Sequence, residues 1–309
     1  MSFTPTFALA QIALLVLAGL VAGLALRRTP AHVRHDLWLL VIAGAIIVSF
    51  SGLLLPAVFF KAPAALASLL RSPSTTGGAV VLALVWVGGA LVAVIRQVPG
   101  FRVLRRIGRH ATPLCRPDAA AVLTAARHLA GVSRPVRLLV SDEVRVPATW
   151  GVRRPVVALP AAASLWCAER LRVVLLHELL HVRRHDVLVE WLLEAVTIAF
   201  WFHPAVWLAA GRLRLERERA CDEAVLHAGG TRASDYCAHL VEIMRAAATP
   251  PSGVVVAPGM AAPATLESRV RALLVAPPPQ RFRLRTVVLV AGALAICGLG
   301  VLTPCLHVP

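Results

Sequence analysis

The sequence LRVVLLHELLHVRRHD, residues 171–186, determines the fold and the chemistry of the region around it. His177 and His181 are four residues apart, so on an α-helix they lie on one face and can bind one metal ion. Glu178 is rotated by about 100° from His177, which sets its carboxylate beside the metal rather than on it. Two imidazoles and a neighbouring carboxylate base are typical of a zinc peptidase. A charged helix that matches by chance is the alternative, so the prediction requires a third ligand elsewhere.

The composition of the chain is that of an integral membrane protein. Of its 309 residues, 58% are hydrophobic and only 16% are charged. Four apolar stretches without Asp, Glu, Lys or Arg are long enough to cross a bilayer, and we predict that each is a transmembrane helix. No positive charge precedes the first stretch, which favours a retained helix over a cleaved signal peptide. The four stretches are residues 7–26, 37–60, 79–95 and 286–302.

The basic residues beside these stretches predict the orientation, because Arg and Lys are enriched in short cytoplasmic loops. Basic residues follow the first and third stretches and precede the fourth, whereas no charged side chain follows the fourth. We therefore expect a multi-pass protein of the bacterial inner membrane, with an external N-terminus and the HELLH site on the cytoplasmic side. The net charge of +16 is concentrated at these boundaries without an aromatic-interleaved basic patch, so we expect lipid contacts and no direct nucleic-acid binding.

The predicted fold class is a mainly α membrane protein with about four transmembrane helices. A cytoplasmic HExxH (gluzincin-like) α+β zinc peptidase domain lies between the third and the fourth. The predicted domains are a three-helix transmembrane region (1–95), the cytoplasmic peptidase domain (96–285), and the last transmembrane helix with a short external tail (286–309). The six cysteines form no CxxC pair, and those of the cytoplasmic domain are expected to be reduced.

Residues 187–226 are predicted to form a membrane-associated helical hairpin rather than a further crossing. Glu190 and Glu194 would be costly in lipid, and Pro204 would interrupt a helix. A turn at 202–204 would instead return a second helix towards the HELLH face. Two short β-like runs upstream, 136–140 and 156–159, predict a small sheet or hairpin. Its edge strand either binds a substrate backbone or only covers the core.

The return helix offers candidates for the third metal ligand. Glu218 and Asp222 lie four apart on one face, so one can bind the metal while the other accepts the ring N–H of a ligand histidine. His185 continues the histidine row, but one straight helix cannot wrap three ligands around one ion. Glu216 is predicted to be solvated. The full set of candidates is Glu216, Glu218, Asp222, Glu223 and His185.

The motifs HELLHVRRHD, WFHPAVW and ERERACDEAV, in this order, resemble the membrane zinc metallopeptidases of the BlaR/MecR type, which are antirepressor signal transducers. The segments VPATWGVRRPVVALP and ATLESRVRALL extend the resemblance over about residues 1–302. The resemblance implies a bound Zn²⁺ and a role for each matching residue. These are the zinc ligands His177, His181 and Glu218, the catalytic base Glu178, and the carboxylates Asp222 and Asp186 that support the ligands from behind.

The chain departs from the pattern of that family in two places. His203 stands where the family commonly has Asn, so a role of His203 in binding substrate or the oxyanion is left open. The second oxyanion donor is equally open between His203, Tyr236 and the arginines. The sequence ends at Pro309, where the β-lactam sensors of the family continue into an extracellular penicillin-binding domain. We therefore expect that this sensor domain is lacking and that β-lactams are not bound covalently.

The expected function is a membrane-embedded zinc-dependent endopeptidase in signal transduction. Its substrate would be a cytoplasmic regulatory protein, for which a winged-helix repressor is the candidate, or the chain itself. The alternatives are a quality-control protease of the HtpX type and a non-catalytic membrane scaffold. The intact His177, Glu178, His181 and Glu218 argue against a scaffold. The WFHP turn and the CDE sequence after Glu218 favour signalling over quality control.

Overall fold

The computed structural model describes residues 5–54, 76–248 and 263–275, most of which are helical. The described residues form two units, one from residues 1–95 and 193–214 and the other from residues 96–192 and 215–278. The helices are α1 (Pro5–Ala25), α2 (Ala31–Leu54), α3 (Thr76–His110), α4 (Ala119–Ala130), α5 (Ala168–Arg184), α6 (Asp186–Ala199), α7 (Pro204–Gly229), α8 (Ala233–Ala248) and α9 (Pro263–Val275), and the strands are β1 (Thr112–Pro113), β2 (Arg137–Ser141), β3 (Ala148–Trp150) and β4 (Val156–Pro160).

The first unit is built from apolar helices. Among the described residues, two helical segments are long and apolar enough to cross a membrane, Ala31–Ser49 and Val80–His110, and Leu9–Ala25 is a shorter apolar helix. The apolar side chains at the start of α3 are exposed, as expected of a helix that faces lipid. α1 packs on α2 at Gly19, where a Cβ atom would lie 2.8 Å from the side chain of Val41.

Residues 7–25 of the first predicted transmembrane stretch lie in α1, the described residues 37–54 of the second lie in α2, and all of the third, 79–95, lies in α3. α3 continues beyond the apolar stretch to His110, so the basic residues that follow the stretch are helical. Arg is a good helix former, and the helix tolerates Pro99 within this segment. The fourth stretch, 286–302, lies outside the described residues. The count of four transmembrane helices and the domain boundaries therefore stay predictions.

The second unit contains a four-stranded sheet in the order β1-β2-β4-β3. β2 and β4 are parallel, so the predicted sheet is confirmed but a hairpin between these two runs is wrong. The reason is a turn at Gly151, whose φ of 87° and close approach to the Arg154 carbonyl oxygen require glycine. This turn makes β3 the antiparallel partner of β4, which leaves the other side of β4 to β2. β3 is therefore an edge strand.

Helix α5 is the centre of the second unit and carries the whole HELLH segment. It packs against α4, β3 and β4. Its leucines are buried on several sides, with Leu171, Leu175, Leu176 and Leu179 fully inaccessible. The middle of the helix, residues 173–180, is apolar on most sides, and such a segment has to be buried. The polar residues of the HELLH segment are consequently held inside the core rather than at the surface.

The predicted hairpin corresponds to α6 and α7, with Pro204 at the first position of α7, where proline is favoured. Arg214 forms an ion pair with Glu194, and Arg217 forms one with Glu190. The two glutamates that would be costly in lipid thus each have a guanidinium partner. At the turn, the Trp201 indole donates to the Trp86 carbonyl oxygen of α3. The turn therefore contacts an apolar helix of the first unit.

Candidate metal centre

Three donor atoms from α5 and α7 come together in the second unit. The Nε2 atoms of His177 and His181 are 3.1 Å apart. Oxygens of Glu218 lie 3.6 Å from Nε2 of His177 and 3.8 Å from Nε2 of His181. A tetrahedral zinc ion with bonds of about 2.0–2.1 Å has ligand atoms about 3.3 Å apart. The triangle therefore fits one ion with a fourth coordination position outside the protein ligands.

His181 is oriented by a carboxylate that is close in sequence. Helix α5 ends at Arg184, and His185 after it has a φ of 57°, a left-handed conformation that costs about 1 kcal/mol or more outside glycine. This sharp end lets α6 begin at Asp186, whose Oδ2 lies 2.7 Å from Nδ1 of His181. When the Nδ1–H group of His181 donates a hydrogen bond to Asp186, Nε2 of His181 carries a lone pair that points to the other two metal-donor atoms.

The Asp186 carboxylate is buried but stays ionised. Burial raises the pKa of Asp186, but the hydrogen bond from His181 and the nearby positive charges outweigh it and lower the pKa overall. Among those charges, Nε of Arg184 lies 3.4 Å from Oδ1 of Asp186. An ionised carboxylate is the stronger acceptor, so Asp186 fixes both the tautomer and the ring orientation of His181.

His177 is oriented by residues that are distant in sequence. Its Nδ1 lies 3.0 Å from the Tyr236 hydroxyl, which in turn donates to Oδ1 of Asp222 over 2.8 Å. The same carboxylate oxygen is 3.3 Å from Nδ1 of His177. Arg269 on α9 donates two hydrogen bonds of 2.7 Å to the two Asp222 oxygens. Nδ1 is therefore surrounded by acceptors, and Nε2 again points to the donor triangle.

The pKa values around His177 describe a strongly polarised buried cluster. Burial raises the pKa of Asp222, but the charge of Arg269 and hydrogen bonds lower it to about 2. Burial lowers the pKa of His177, but hydrogen bonds to Asp222 and Glu218 raise it to about 9 without a metal. Burial raises the pKa of Tyr236 well above its ordinary value, and the Asp222 charge adds to this. The cluster thus holds a proton at His177 that a metal cation can replace.

Glu218 is ionised and flanked by two guanidinium groups. Burial raises its pKa, but the charge of His181, the hydrogen bond to His177 and both arginines lower it well below the ordinary value. Oε1 lies 3.6 Å from Nε of Arg217, and Oε2 lies 3.5 Å from Nη1 of Arg269. The carboxylate is therefore in the charged form that a divalent cation requires.

Glu178 lies beside the triangle and contacts the sheet. Its side chain is buried, and its Oε2 accepts a hydrogen bond of 2.6 Å from the hydroxyl of Thr149 on the edge strand β3. The edge strand is thus joined directly to the carboxylate that follows the first histidine. A backbone bound along β3 would lie close to Glu178.

The other residues of the sequence prediction have different surroundings. His203 belongs to the first unit, where its Nε2 lies 3.1 Å from the Leu9 carbonyl oxygen, and its role stays a prediction. The prediction that Glu216 is solvated is wrong, because it is buried and pairs with Arg219 at 2.8 Å. His185 is exposed at the end of α5. Tyr236 lies behind His177. Its hydroxyl already donates its hydrogen to Asp222, so this hydroxyl is not placed to donate to an oxyanion.

Three residues of the centre were not singled out from the sequence. Thr149 lies in the turn-rich segment between the two predicted β-like runs, where neither β3 nor its contact with Glu178 was predicted. Arg269 is an inward-facing charge on α9, a helix whose apolar residues Val270 and Leu273 pack on the core. Cys221 is fully buried, with its Sγ 3.5 Å from Nδ1 of His181. Each contact depends on tertiary packing rather than on local spacing.

Cys221 forms a second group of candidate metal donors with His181 and Asp186. This group fits an ion less well. Nδ1 of His181 and Oδ2 of Asp186 are only 2.7 Å apart, which is a hydrogen bond rather than the spacing of two ligands on one ion. Burial and the Asp186 charge also raise the thiol pKa of Cys221 well above its ordinary value. A protonated thiol is a poor metal ligand.

Comparisons with known proteins point to one family. The sequence model described as BlaR1 peptidase M56 matches residues 57–273. The regulatory protein BlaR1 of Bacillus licheniformis is 41% identical over 86 residues, which are 28% of this chain and 14% of that relative. The methicillin resistance mecR1 protein of Staphylococcus aureus is 22% identical over 144 residues, 46% of this chain and 24% of that relative. The chain thus aligns with less than a quarter of each relative.

Proposed function

Because the chain belongs to the BlaR1 peptidase M56 family, we propose that it is a zinc-dependent endopeptidase embedded in a membrane. Membership in the family supports a peptidase-related function. The observation that carries the more specific proposal is the triangle of Nε2 of His177, Nε2 of His181 and the Glu218 carboxylate, whose atoms are 3.1–3.8 Å apart. Two imidazoles and one carboxylate are a common catalytic ligand set for zinc.

The residues around the triangle supply the rest of the chemistry. A zinc ion in this position would supply Lewis acidity to a water molecule and to the scissile carbonyl. Thr149 binds one oxygen of Glu178, which leaves the other to take a proton from the attacking water. Glu178 then transfers this proton to the leaving amine as the peptide bond breaks. Asp186 and Asp222 keep the imidazole rings in one tautomer during this cycle.

The edge strand suggests the form of the substrate. β3 pairs with β4 on one side and is at the edge of the sheet on the other. An extended polypeptide can add to such an edge by main-chain hydrogen bonds, which are independent of sequence. The Thr149–Glu178 contact links this edge to the proposed base. We therefore propose cleavage within extended polypeptide segments, with Glu178 as the base.

The apolar segments Ala31–Ser49 and Val80–His110 support membrane attachment. We propose a multi-pass inner-membrane protein with its active site on the cytoplasmic side. The names of the two relatives describe a regulatory protein and a resistance protein. By extension, the substrate proposed here is a cytoplasmic regulatory protein such as a winged-helix repressor, or this chain itself. A reporter fused after residue 230 should read out as cytoplasmic, and an external readout would contradict this topology.

The zinc content of purified protein tests the ligands. The protein in detergent should hold about one zinc ion per chain, and His181→Ala should hold almost none. His185→Asn is the matched control, since it removes an exposed histidine four residues further on while Asn tolerates the left-handed conformation. It should keep the zinc. Equal zinc content in wild type and His181→Ala would rule out the proposed site.

Proteolysis tests the base. Glu178→Gln should keep the zinc but lose cleavage, because an amide cannot accept the proton. N-terminal peptide profiling of cells that produce wild type or Glu178→Gln would identify the cleaved proteins directly, whichever proteins they are. New N-termini in one regulatory protein or in the chain itself would support signalling. New N-termini across many membrane proteins would favour quality control, and identical profiles would contradict proteolysis.

A further inference from the structure

Arg269 is a buried cation that joins α9 to the candidate metal centre. Its Nε and Nη2 atoms each donate a hydrogen bond of 2.7 Å to Asp222, one to each carboxylate oxygen. Its Nη1 lies 3.5 Å from Oε2 of Glu218. Arg269 and Asp222 are 47 residues apart in sequence, and only 14% and 1% of their side chains are exposed. Such a planar, two-point contact specifies orientation as well as charge.

We infer that Arg269 is a positioning residue, which fixes the His177 imidazole through Asp222 and Tyr236 and thereby strengthens metal binding. The inference rests on the proposed function, since it takes His177 as a zinc ligand. Arg269 itself does not reach the imidazole. Its effect passes through the Asp222 carboxylate, which accepts from the Tyr236 hydroxyl and lies 3.3 Å from Nδ1 of His177.

The burial of Asp222 makes this support necessary. A carboxylate that is 1% exposed cannot be stabilised by water, so its charge requires protein donors. Tyr236 supplies one neutral donor, and Arg269 supplies two charged ones. Without Arg269 the carboxylate would lose both charged donors and would turn towards solvent. Tyr236 and His177 would then lose the acceptor that holds them.

The guanidinium has a second, opposite effect on a metal ion. A positive charge 3.5 Å from Glu218 repels a divalent cation and competes for the carboxylate. If this were the only effect of Arg269, its removal would tighten zinc binding. We expect the positioning effect to dominate, because Arg217 also flanks Glu218 and would keep much of the positive charge there. The sign of the change in zinc affinity therefore distinguishes the two roles.

The test is the zinc affinity of the metal-free, full-length protein in detergent, measured by competition with a chromogenic chelator. Arg269→Met keeps an unbranched apolar stem and removes the guanidinium, and zinc affinity should fall about 10–100-fold. Arg269→Lys keeps a charge without the two-point contact and should show a smaller fall. Arg271→Met is the matched control, because Arg271 lies on the same helix, is exposed and pairs with Glu267. Its affinity should stay within about twofold of wild type.

Double substitution separates positioning from general destabilisation. Tyr236→Phe removes the hydroxyl between Asp222 and His177 and should also weaken zinc binding. If Arg269 acts through this hydroxyl, the double variant should lose clearly less affinity than the product of the two single losses. If the two substitutions damaged the structure independently, their losses of zinc affinity would multiply in the double variant. Helical circular dichroism and size-exclusion chromatography would identify the variants that fold.

Every result of these zinc-affinity measurements either supports or overturns the positioning role of Arg269. Unchanged or tighter zinc binding in folded Arg269→Met would overturn it, as would multiplicative losses in the double variant. If Arg269→Met does not fold, Arg269→Lys and Tyr236→Phe decide: wild-type affinity in either folded variant overturns the inference, and a loss that Arg271→Met does not share supports it. If the wild-type protein binds no zinc, the proposed function fails. If the wild-type protein and Arg269→Met bind zinc equally well, only the inference about Arg269 fails.

Discussion

The two histidines of the metal centre are one helical turn apart but are supported in different ways. The His181 side consists of Asp186, which follows within five residues, and its neighbour Arg184. The His177 side consists of Asp222, Tyr236 and Arg269, which come from α7, α8 and α9. One support is built by the end of a single helix. The other exists only when three further helices have packed around α5.

The two supports therefore depend to different degrees on the folding of the rest of the protein. The short link between α5 and α6 holds Asp186 near His181, so this support depends little on the rest of the fold. The Asp222–Arg269 pair is a buried ion pair, and its partners come together only on folding. Losing one member of such a pair leaves an uncompensated charge in the core. The His177 side should therefore be the more sensitive of the two.

The largest expected effect comes from comparing the two supporting carboxylates. Asp222→Asn should lower the free energy of unfolding of the metal-free protein by about 3–5 kcal/mol, because the buried Arg269 loses its two-point partner and keeps only the longer contact with Glu218. Asp186→Asn should cost only about 1 kcal/mol, since Arg184 is partly exposed and the amide oxygen still accepts from His181. Thermal unfolding in detergent measures both. Equal shifts, or a larger one for Asp186→Asn, would contradict the difference between the two sides.

Zinc uptake should release a proton from the His177 side. The pKa of His177 is raised from 6.5 to about 9 without metal, so its charged form stabilises the folded protein below about pH 6.5. That contribution is lost as the pH rises through about 9, and zinc should bind more tightly over the same range. At pH 7.5, calorimetry in buffers of different ionisation enthalpy should detect about one proton released from His177 per zinc.

The matched control for this proton is Asp222→Asn. It removes the first of the hydrogen bonds that raise the pKa of His177, so fewer protons should be released on binding zinc. A histidine of ordinary pKa would release only about a tenth of a proton at pH 7.5. Identical proton release in wild type and Asp222→Asn would contradict the assignment of the proton to His177.

The smallest expected effect is at Cys221, on the His181 side. Cys221→Ala should leave the zinc affinity within about twofold of wild type, because a protonated thiol is a poor ligand. Chelator competition measures this directly. A loss of tenfold or more would instead mean that a metal is bound by His181, Asp186 and Cys221, on the other side of the His181 ring.

The local features of the centre could be predicted from the sequence. The shared face of His177 and His181 follows from helix geometry and a spacing of four residues, and the supporting role of Asp186 is implied by the resemblance to the BlaR/MecR type. The turn before Pro204 follows from the conformational limits of proline. Each of these depends on forces that act within about two turns of helix.

The distant features could not be predicted in the same way. The spacing of Glu218 and Asp222 showed that they share a face but not which contact each would make. Arg269 is separated from Asp222 by 47 residues, and no spacing rule connects them. The prediction for Glu216 failed because the spacing to Arg219 on the same helix indicates an ion pair, whereas the burial of Glu216 depends on tertiary packing. The parallel pairing of β2 and β4 likewise depends on the turn at Gly151.

X-ray absorption at the zinc edge of the purified wild-type protein tests the central claim most directly. The metal bound by His177, His181 and Glu218 should show only nitrogen and oxygen neighbours at about 2.0–2.1 Å, with the scattering pattern of two imidazoles. A sulfur neighbour at about 2.3 Å would place the metal with Cys221 instead. A spectrum with one imidazole or none would contradict the paired role of the two histidines.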